Sequence, residues 1–217
     1  MTMHIKADDL DRNSRAILEG VLHRMAASPG DLAPLSFIDV GCGEGRLLTH
    51  LAELGASRLI GVGWKIKVPP GAVRVEGVDL SRAGWTDRLE GKLFDWVIST
   101  EVLEHLVNPF DYLVGLRRLA SPQGRLLLTF PNVHNLRSIV GYAVSGRFSG
   151  FFGPNFNKNH PLYDQHIFVP NHHLIRYFLR LAGFTDVKIN YLNGIGRLFS
   201  QTTLLEATPC APIQLPE

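Results

Sequence analysis

The most chemically informative stretch of the sequence is FIDVGCGEGRLL, residues 37–48. Gly41, Gly43 and Gly45 allow positive φ angles and let a ligand approach the backbone, and the apolar pattern that follows is typical of a helix whose first amides point at that ligand. Asp39 stands just before the turn, where its carboxylate would repel a pyrophosphate. The stretch therefore predicts a strand, a glycine turn and a helix that bind a zwitterionic or cationic ligand.

A dinucleotide fingerprint fits this stretch poorly. The pattern G-x-G-x-x-G requires a third glycine where the chain has Arg46. Lys65 lies beyond the second apolar run, where it could bind a 2′-phosphate, so an NADP-linked oxidoreductase stays open as an alternative. Cys42, inside the turn, is either a reactive thiol at a helix N-terminus or a small residue that fits there.

Histidines are the natural candidates for a general base, because their ordinary pKa lies near neutrality. His166 and His134 bracket residues 132–168, a segment dense in Gly, Phe, Asn and His, and we rank His166 first and His134 second. His105, in EVLEHL, is a further candidate that could instead support its loop. No metal site is predicted, since the spacing of the conceivable ligands matches no strong motif; these ligands are His160, Asp164, His166 and His172.

The elements that must position these residues alternate along the chain. An amphipathic leading helix is expected over residues 8–30, and helical patterns recur at 45–55, 108–120 and about 170–182. Two late runs, FTDVKINYL and SQTTLLEAT, flank the turn signal NGIG and predict an antiparallel pair. Five earlier runs predict strands: SFIDV (36–40), RLIGV (58–62), VRVEGV (73–78), FDWVIS (94–99) and RLLLTF (125–130).

This alternation predicts an α/β fold. We expect a Rossmann-like, doubly wound and mostly parallel seven-stranded sheet that ends in a C-terminal antiparallel hairpin. The chain of 217 residues with 45% apolar content is large enough for one domain, and residues 1–217 are assigned to it. Within that domain, residues 169–208 form the C-terminal helix and hairpin.

Composition and charge exclude several classes of partner. The net charge of +2, without a long basic run, favours neither nucleic acid nor an anionic membrane. No apolar run approaches the ~18 residues of a membrane span, and the N-terminus lacks the pattern of a signal peptide. Two cysteines, Cys42 and Cys210, suggest neither a disulfide framework nor a cysteine metal site. We expect a soluble protein of the cytoplasm.

Several stretches, in order and with roughly the right spacing, resemble the class I S-adenosylmethionine-dependent methyltransferases of the small-molecule branch that includes ubiquinone-biosynthesis O-methyltransferases. They are FIDVGCGEGRLL, GKLFDWVISTEVLEHLVNP, GRLLLTFPN and LRLAGF. The resemblance implies a cofactor-binding core at 36–131 and a substrate-covering insertion at 132–168, whose aromatic side chains could wall an apolar acceptor. It also implies S-adenosylmethionine as cofactor, S-adenosylhomocysteine as product, and these cofactor-binding residues: Asp39, Gly41, Cys42, Gly43, Trp64, Asp79, Leu80, Ser99, Thr100 and Glu101.

The chain departs from that family at the end of the second strand. The acid that accepts hydrogen bonds from the ribose is replaced by Gly63 or Trp64, a loss of roughly 1.5–3 kcal/mol. Trp64 could stack on the adenine instead, or only pack at the sheet edge, and Asp79 could read the adenine or only form a turn.

The connection between the second and third strands is the other departure. It spans only residues 64–72 and contains Pro69, Pro70 and Gly71, so the usual helix is expected to be missing. A less covered sheet edge would invite a second chain, which suggests a homodimer.

Three functions therefore follow from the sequence. The leading interpretation is an S-adenosylmethionine-dependent methyltransferase, acting on oxygen, or else nitrogen or carbon, of a small metabolite or glycan-like acceptor. The first alternative is a methyltransferase-fold protein that has lost catalysis and works as a binding or scaffold subunit, as the missing acid would suggest. The lesser alternative is the NADP-linked oxidoreductase.

Overall fold

A computed structural model of the chain describes residues 11–27, 31–152 and 165–211. Seven strands form one sheet in the order β3-β2-β1-β4-β5-β7-β6, which confirms the predicted fold. The strands are β1 (Ser36–Val40), β2 (Arg58–Gly63), β3 (Val73–Glu76), β4 (Phe94–Thr100), β5 (Ala120–Pro131), β6 (Phe184–Leu192) and β7 (Thr202–Pro209). The helices are α1 (Arg12–Ala26), α2 (Arg46–Glu53), α3 (Pro109–Leu119), α4 (Leu136–Ser145), α5 (His172–Ala182) and α6 (Gly196–Phe199).

The strands from β3 to β5 in this order run parallel to one another, and β7 runs antiparallel to its two neighbours, β5 and β6. In register, Asp39 of β1 lies between Gly61 of β2 and Ile98 of β4. β7 inserts between β5 and β6 and pairs antiparallel with both, as the sequence predicted for the C-terminal pair. The carboxyl ends of β1, β2, β4 and β5 therefore meet at one edge of the sheet, where ligands bind in open α/β folds.

Helices pack on both faces of the sheet and divide the core in two. α1 and α2 bury apolar side chains such as Val21 and Leu48 on one face. α3 and α5 bury Tyr112 and Ile175 on the other. Asparagine or aspartate side chains cap the N-termini of α1, α3, α4 and α5 by accepting hydrogen bonds from backbone amides, which explains where these helices begin.

The connection from β2 to β3 contains no helix, as predicted. Residues 64–72 form an irregular loop that buries Ile66 and packs Val68 and Ala72 against the α1–α2 face of the core. The loop itself thus covers part of the surface that a helix would otherwise cover, while the edge strand β3 keeps Val73 exposed. Among the described residues, no helix is long and apolar enough to cross a membrane.

Several boundaries differ from the sequence prediction. The leading helix, expected over 8–30, is observed over Arg12–Ala26 within the described residues. The insertion at 132–168 contains α4, which no sequence pattern had predicted, and its residues 153–164 lie outside the described part of the chain. The loop between β6 and β7 contains the short helix α6, so the C-terminal pair is joined by more than a tight turn.

Candidate functional site

The glycine turn between β1 and α2 has the predicted geometry. Gly41, Gly43 and Gly45 have φ angles of +86°, +49° and +69°, in the region that favours glycine. A Cβ on Gly41 would overlap Val102, and a Cβ on Gly45 would overlap the carbonyl oxygen of Lys67. The turn therefore needs glycine at these two positions both for its backbone conformation and for close packing.

A cavity of about 340 Å³ opens beside this turn. Asp39 at the end of β1 and Thr100 and Glu101 at the end of β4 line one side of it. The opposite wall is the face of α1 that presents Ser14 and Leu18. The cavity thus places carboxylates and an apolar wall around one small-molecule space, and Cys42 and Glu44 are the residues of the glycine turn that line it.

Asp39 is the most unusual group in this cavity. Its side chain is buried, and Oδ1 has no hydrogen-bond partner among the described residues. Burial raises the pKa of this carboxyl from 3.8 to about 7, since nothing nearby compensates the charge that ionisation would create. A buried carboxylate without a partner is costly, so a cationic group of a ligand is the natural complement to it.

Glu101 lines the same cavity, directly after β4. Its φ angle of +52° is uncommon for a residue with a side chain, and hydrogen bonds to β5 hold it there. Its backbone amide donates to the Thr129 carbonyl at 3.1 Å, and its Oε1 accepts from Thr129 Oγ1 at 2.9 Å. Burial raises the pKa of Glu101 to about 7, and the Thr129 hydrogen bond opposes that rise.

A second polar group lies behind Glu101, formed by Glu104, His105 and His166. Their ligand atoms lie within 4.8 Å of one another, a spacing that a metal ion could bridge. Glu104 is fully buried, and neither carboxylate oxygen has a hydrogen-bond partner within residues 11–27, 31–152 and 165–211. Burial together with the neighbouring Glu101 charge raises the pKa of Glu104 well above its usual value. No such grouping was predicted from the sequence, which had considered a different ligand set.

The predicted base His166 sits in this group. Its ring packs against His105 at 4.7 Å and against Phe151 at 5.1 Å between centroids. Burial and the neighbouring His105 lower the pKa of His166 to about 4, so its ring is neutral at physiological pH. His105 holds the loop through Nδ1, 3.1 Å from the Gln165 carbonyl oxygen, which favours its supporting role.

His134 belongs to a different pair, after the end of β5. Its ring lies 4.1 Å from that of His172, and burial lowers the pKa of both imidazoles, that of His172 to about 4. His172 in turn contacts Thr203 Oγ1 through Nε2 at 2.9 Å. Two of the four metal ligands that the sequence made conceivable, His160 and Asp164, lie outside the described residues. The other two pack against different rings: His166 contacts Phe151, and His172 contacts Tyr191.

Other predicted cofactor residues do not line the cavity. Ser99 is buried and contacts Tyr112 Oη at 2.7 Å. Trp64 is 57% exposed, outside the lining of the cavity. Asp79 accepts from the Ser81 amide at 3.0 Å and pairs with Arg82, as a turn former would, and Leu80 packs against the core.

Cys42 lines the cavity but is not poised to react. Its side chain is buried, and burial together with the negative charge of Asp39 raises the pKa of the thiol to about 12. A thiolate is therefore strongly disfavoured. The structure favours the interpretation in which a small residue fits the turn.

Comparison with known proteins identifies the family. The family profile of a methyltransferase domain matches residues 10–189. This chain belongs to that methyltransferase domain family. The ubiquinone biosynthesis O-methyltransferase of Roseobacter denitrificans is 35% identical over 112 residues, 49% of this chain and 45% of that protein. The mitochondrial enzyme of the same name from Arabidopsis thaliana is 34% identical over 118 residues, 50% of this chain and 35% of that protein. The chain thus spans less than half of these two relatives.

Solved structures share the fold of this methyltransferase domain. A SAM-dependent methyltransferase from Archaeoglobus fulgidus matches with a TM-score of 0.64 at 20% identity, over 91% of this chain and 95% of that one. The magnesium protoporphyrin IX methyltransferase of Synechocystis, solved with bound SAH, matches with a TM-score of 0.62 at 21% identity, over 93% and 89% of the two chains.

The Ile66 side chain packs closely beside Gly63 at the end of β2. A Cβ on Gly63 would lie 2.7 Å from the Ile66 side chain, so Ile66 fills the space in which a longer side chain would begin. Glu76 of β3 pairs with Gly63 in register, but its carboxylate accepts from the Ile66 amide and pairs with Arg74 at 2.6 Å.

Two features of the site escaped the sequence analysis. The wall of the cavity formed by Ser14, Ile17 and Leu18 of α1 was missed, because an amphipathic pattern shows that a helix is half-buried but not what it covers. Glu104 was missed as well, although its place in EVLEHL could have drawn attention to an acid inside an apolar motif.

Proposed function

We propose that this chain is an S-adenosylmethionine-dependent methyltransferase that methylates an oxygen of a small metabolite or glycan-like acceptor. The observation that supports this most directly is the buried Asp39 beside the glycine turn, whose Oδ1 has no hydrogen-bond partner in the described part of the chain. S-adenosylmethionine supplies an electrophilic methyl group on a sulfonium and offers an ammonium at its amino-acid end. A cationic ligand of this kind satisfies Asp39, which a dinucleotide phosphate does not.

The residues present fit such a cofactor. Asp39 would hold the ammonium, and the backbone of the glycine turn and the first amides of α2 would hold the carboxylate of its amino-acid end. Glu101, held by Thr129, would border the reacting centre. The apolar face of α1 would exclude water from the cavity, which strengthens the electrostatic interactions inside it.

Proton removal from a hydroxyl acceptor is assigned to His166, with His134 as the second candidate. His166 is neutral at physiological pH, so one of its ring nitrogens carries an unshared electron pair that can accept a proton. If a hydroxyl acceptor took the methyl group, with S-adenosylhomocysteine as the leaving group, the hydroxyl proton would pass to His166. The Glu104 carboxyl, whose ligand oxygen lies within 4.8 Å of the ring, can then stabilise the imidazolium.

The assignment to oxygen rests on similarity to proteins named as O-methyltransferases. The insertion supports an acceptor with an apolar part, because Phe151 is buried against His166 and the exposed Tyr142 stacks on Phe148 at 4.6 Å. The same two contacts also show that these aromatic side chains partly pack on their own segment. Phe156 and Tyr163 lie outside the described residues.

A binding or scaffold subunit without catalysis is the second candidate function. Ile66 at the position beside Gly63 favours it, because the acid that would accept from the ribose has no room there. A weakened cofactor site would be the consequence, and titration decides between the two functions.

Isothermal titration of the purified protein with S-adenosylhomocysteine tests the proposal, with NADPH titrated in parallel. We expect micromolar binding of S-adenosylhomocysteine that an Asp39→Ala variant loses, followed by labelled methyl transfer to an acceptor in a screen. Binding without transfer to any acceptor would favour the scaffold function. Absence of binding, or binding of NADPH alone, would contradict a methyltransferase.

Two finer expectations accompany this proposal. Free Cys42 and Cys210 suit the reducing cytoplasm that the sequence suggested. A homodimer through β3 is supported only by the exposed Val73 at that edge, since Ile66 and Val68 already cover the rest. Sedimentation of the protein at micromolar concentration tests the dimer, and a monomer would exclude it.

A further inference from the structure

Helix α4 turns an apolar stripe toward solvent. Leu136, Val140 and Val144 follow one another at intervals of four residues, so they lie on one face of the helix. Val140 is 51% exposed and Val144 82%. Ser138 is the side chain of α4 that is buried, and nearly all the rest of the helix is exposed, including its apolar side chains. An ordinary surface helix buries its apolar side chains instead.

Helix α6 extends the same surface. It packs beside α4, and Asn132 joins the two segments by donating to the Arg197 and Ser200 carbonyl oxygens. Ile195, just before α6, is 85% exposed. We give the name α4–α6 patch to six of the exposed apolar side chains on and next to the two helices: Leu136, Val140, Val144, Ile195, Leu198 and Phe199. Contiguous exposed apolar side chains on this scale mark an interaction surface.

The part of the chain that carries this patch is rich in basic residues. Residues 112–205 contain ten lysines and arginines but only two acids, Asp164 and Asp186, whereas the small net charge of the whole chain hides this asymmetry. Arg137, Arg147 and Arg197 lie on or next to the two helices, and all three are exposed. An apolar surface bordered by arginines complements an apolar layer that has anionic groups at its boundary.

We infer that the α4–α6 patch docks this protein onto an anionic lipid bilayer surface. Val140, Val144 and Ile195 enter the boundary between headgroups and acyl chains, while the arginines contact lipid phosphates. A second copy of this chain is a poorer occupant, because a two-fold symmetric contact would place two arginine-bordered surfaces of like charge against each other. The sequence analysis did not favour an anionic membrane because it considered only the net charge and basic runs along the chain. The inferred docking does not depend on methyl transfer.

Cosedimentation with vesicles of phosphatidylcholine, with and without phosphatidylglycerol, tests this inference on the intact protein. We expect binding only to the anionic vesicles. The double variant Arg137→Gln/Arg147→Gln should bind about fivefold more weakly for each arginine removed, since each basic group near such a surface contributes on the order of 1 kcal/mol. Arg118→Gln, exposed at the far end of α3, is the matched control and should bind like the wild type.

The apolar contribution has its own matched pair. Val140→Ser should weaken binding about tenfold, whereas Leu93→Ser should not, although Leu93 is also 51% exposed and lies before the amino end of β4. Circular dichroism and S-adenosylhomocysteine titration should be unchanged in these variants.

Three results would overturn the inference: no vesicle binding, equal binding to neutral vesicles, or equal losses in the control variants. Light scattering tests whether a second copy of this chain occupies the patch instead. A dimer that Val140→Ser dissociates would show that the patch is a contact between copies of this chain, and would likewise overturn the inference.

Discussion

Replacing Asp39 by asparagine probes the proposed cofactor site most directly, because the change keeps the shape of the side chain and removes its charge. Asp39 Oδ1 is buried without a partner among the described residues, so the ammonium of the ligand would be its counter-charge. A hydrogen bond to a charged group contributes about 1.5–3 kcal/mol, which corresponds to an affinity loss of about 10- to 150-fold. We expect Asp39→Asn to bind S-adenosylhomocysteine more weakly by this factor in isothermal titration.

The pH dependence of binding provides a second readout. Burial raises the pKa of Asp39 to about 7 in the free protein, and the ligand ammonium needs the ionised carboxylate. Affinity should therefore be constant above about pH 7 and fall about tenfold for each pH unit below it. The asparagine variant has no such titration, so its affinity should not change over this range. Equal and pH-independent affinities of the two proteins would refute the assigned role of Asp39.

The same burial should destabilise the ligand-free protein. Because the folded state raises the pKa of Asp39 from 3.8 to about 7, it binds the proton more tightly than the unfolded chain does. The free energy of unfolding should then decrease as pH rises from about 4 to 7 and stay constant above, by at most about 4 kcal/mol. Asp39→Asn should therefore melt at a higher temperature than the wild type above about pH 7, with the difference closing near about pH 4.

Three other substitutions probe the turn, the base and the buried acid. Gly45→Ala should lower both the melting temperature and the affinity for S-adenosylhomocysteine, because the new Cβ overlaps Lys67. Gly43→Ala, where the space is open, should lower both quantities less. Equal losses in the two variants would contradict this explanation. His166→Gln should lower kcat in a labelled methyl transfer assay about 100-fold or more with the dissociation constant for S-adenosylhomocysteine unchanged, and full activity would exclude it as the base. Glu104→Gln should raise the melting temperature above neutral pH, because burial raises the pKa of this carboxyl in the folded state; the difference should vanish below the ordinary glutamate pKa of 4.5, and a gap that persists there would have another cause.

Much of the fold could be predicted because strands in a parallel sheet are buried on both faces. SFIDV and FDWVIS are mostly apolar runs for this reason, and the observed strands β1 and β4 begin at the predicted residues. The glycine turn could be predicted equally well, since only glycine tolerates its φ angles and its close packing against Val102. The short connection at 64–72 predicted a missing helix from its length and prolines alone.

Contacts between distant parts of the chain could not be predicted in the same way. The helix α4 has apolar side chains that pack against nothing within the described residues. The sequence analysis therefore assigned this stretch to an insertion rich in glycine and aromatic residues and predicted no helix there. The grouping of Glu104 and His166 joins residues more than sixty positions apart, and one sequence gives no sign of it. The place of α1 over the cavity likewise depends on tertiary packing, including the ion pair of Arg24 with Glu206 of β7.

The loop at 64–72 also constrains how this sequence could change over time. Its residue Lys67 donates its amide to the Gly43 carbonyl at 2.8 Å, its side chain pairs with Glu44, and Ile66 fills the space beside Gly63. An aspartate at Gly63 is therefore incompatible with the present loop, and a smaller residue at Ile66 would open a hole beside the glycine turn. An acid at position 63 would therefore have to arrive together with a change in the connection that carries Ile66.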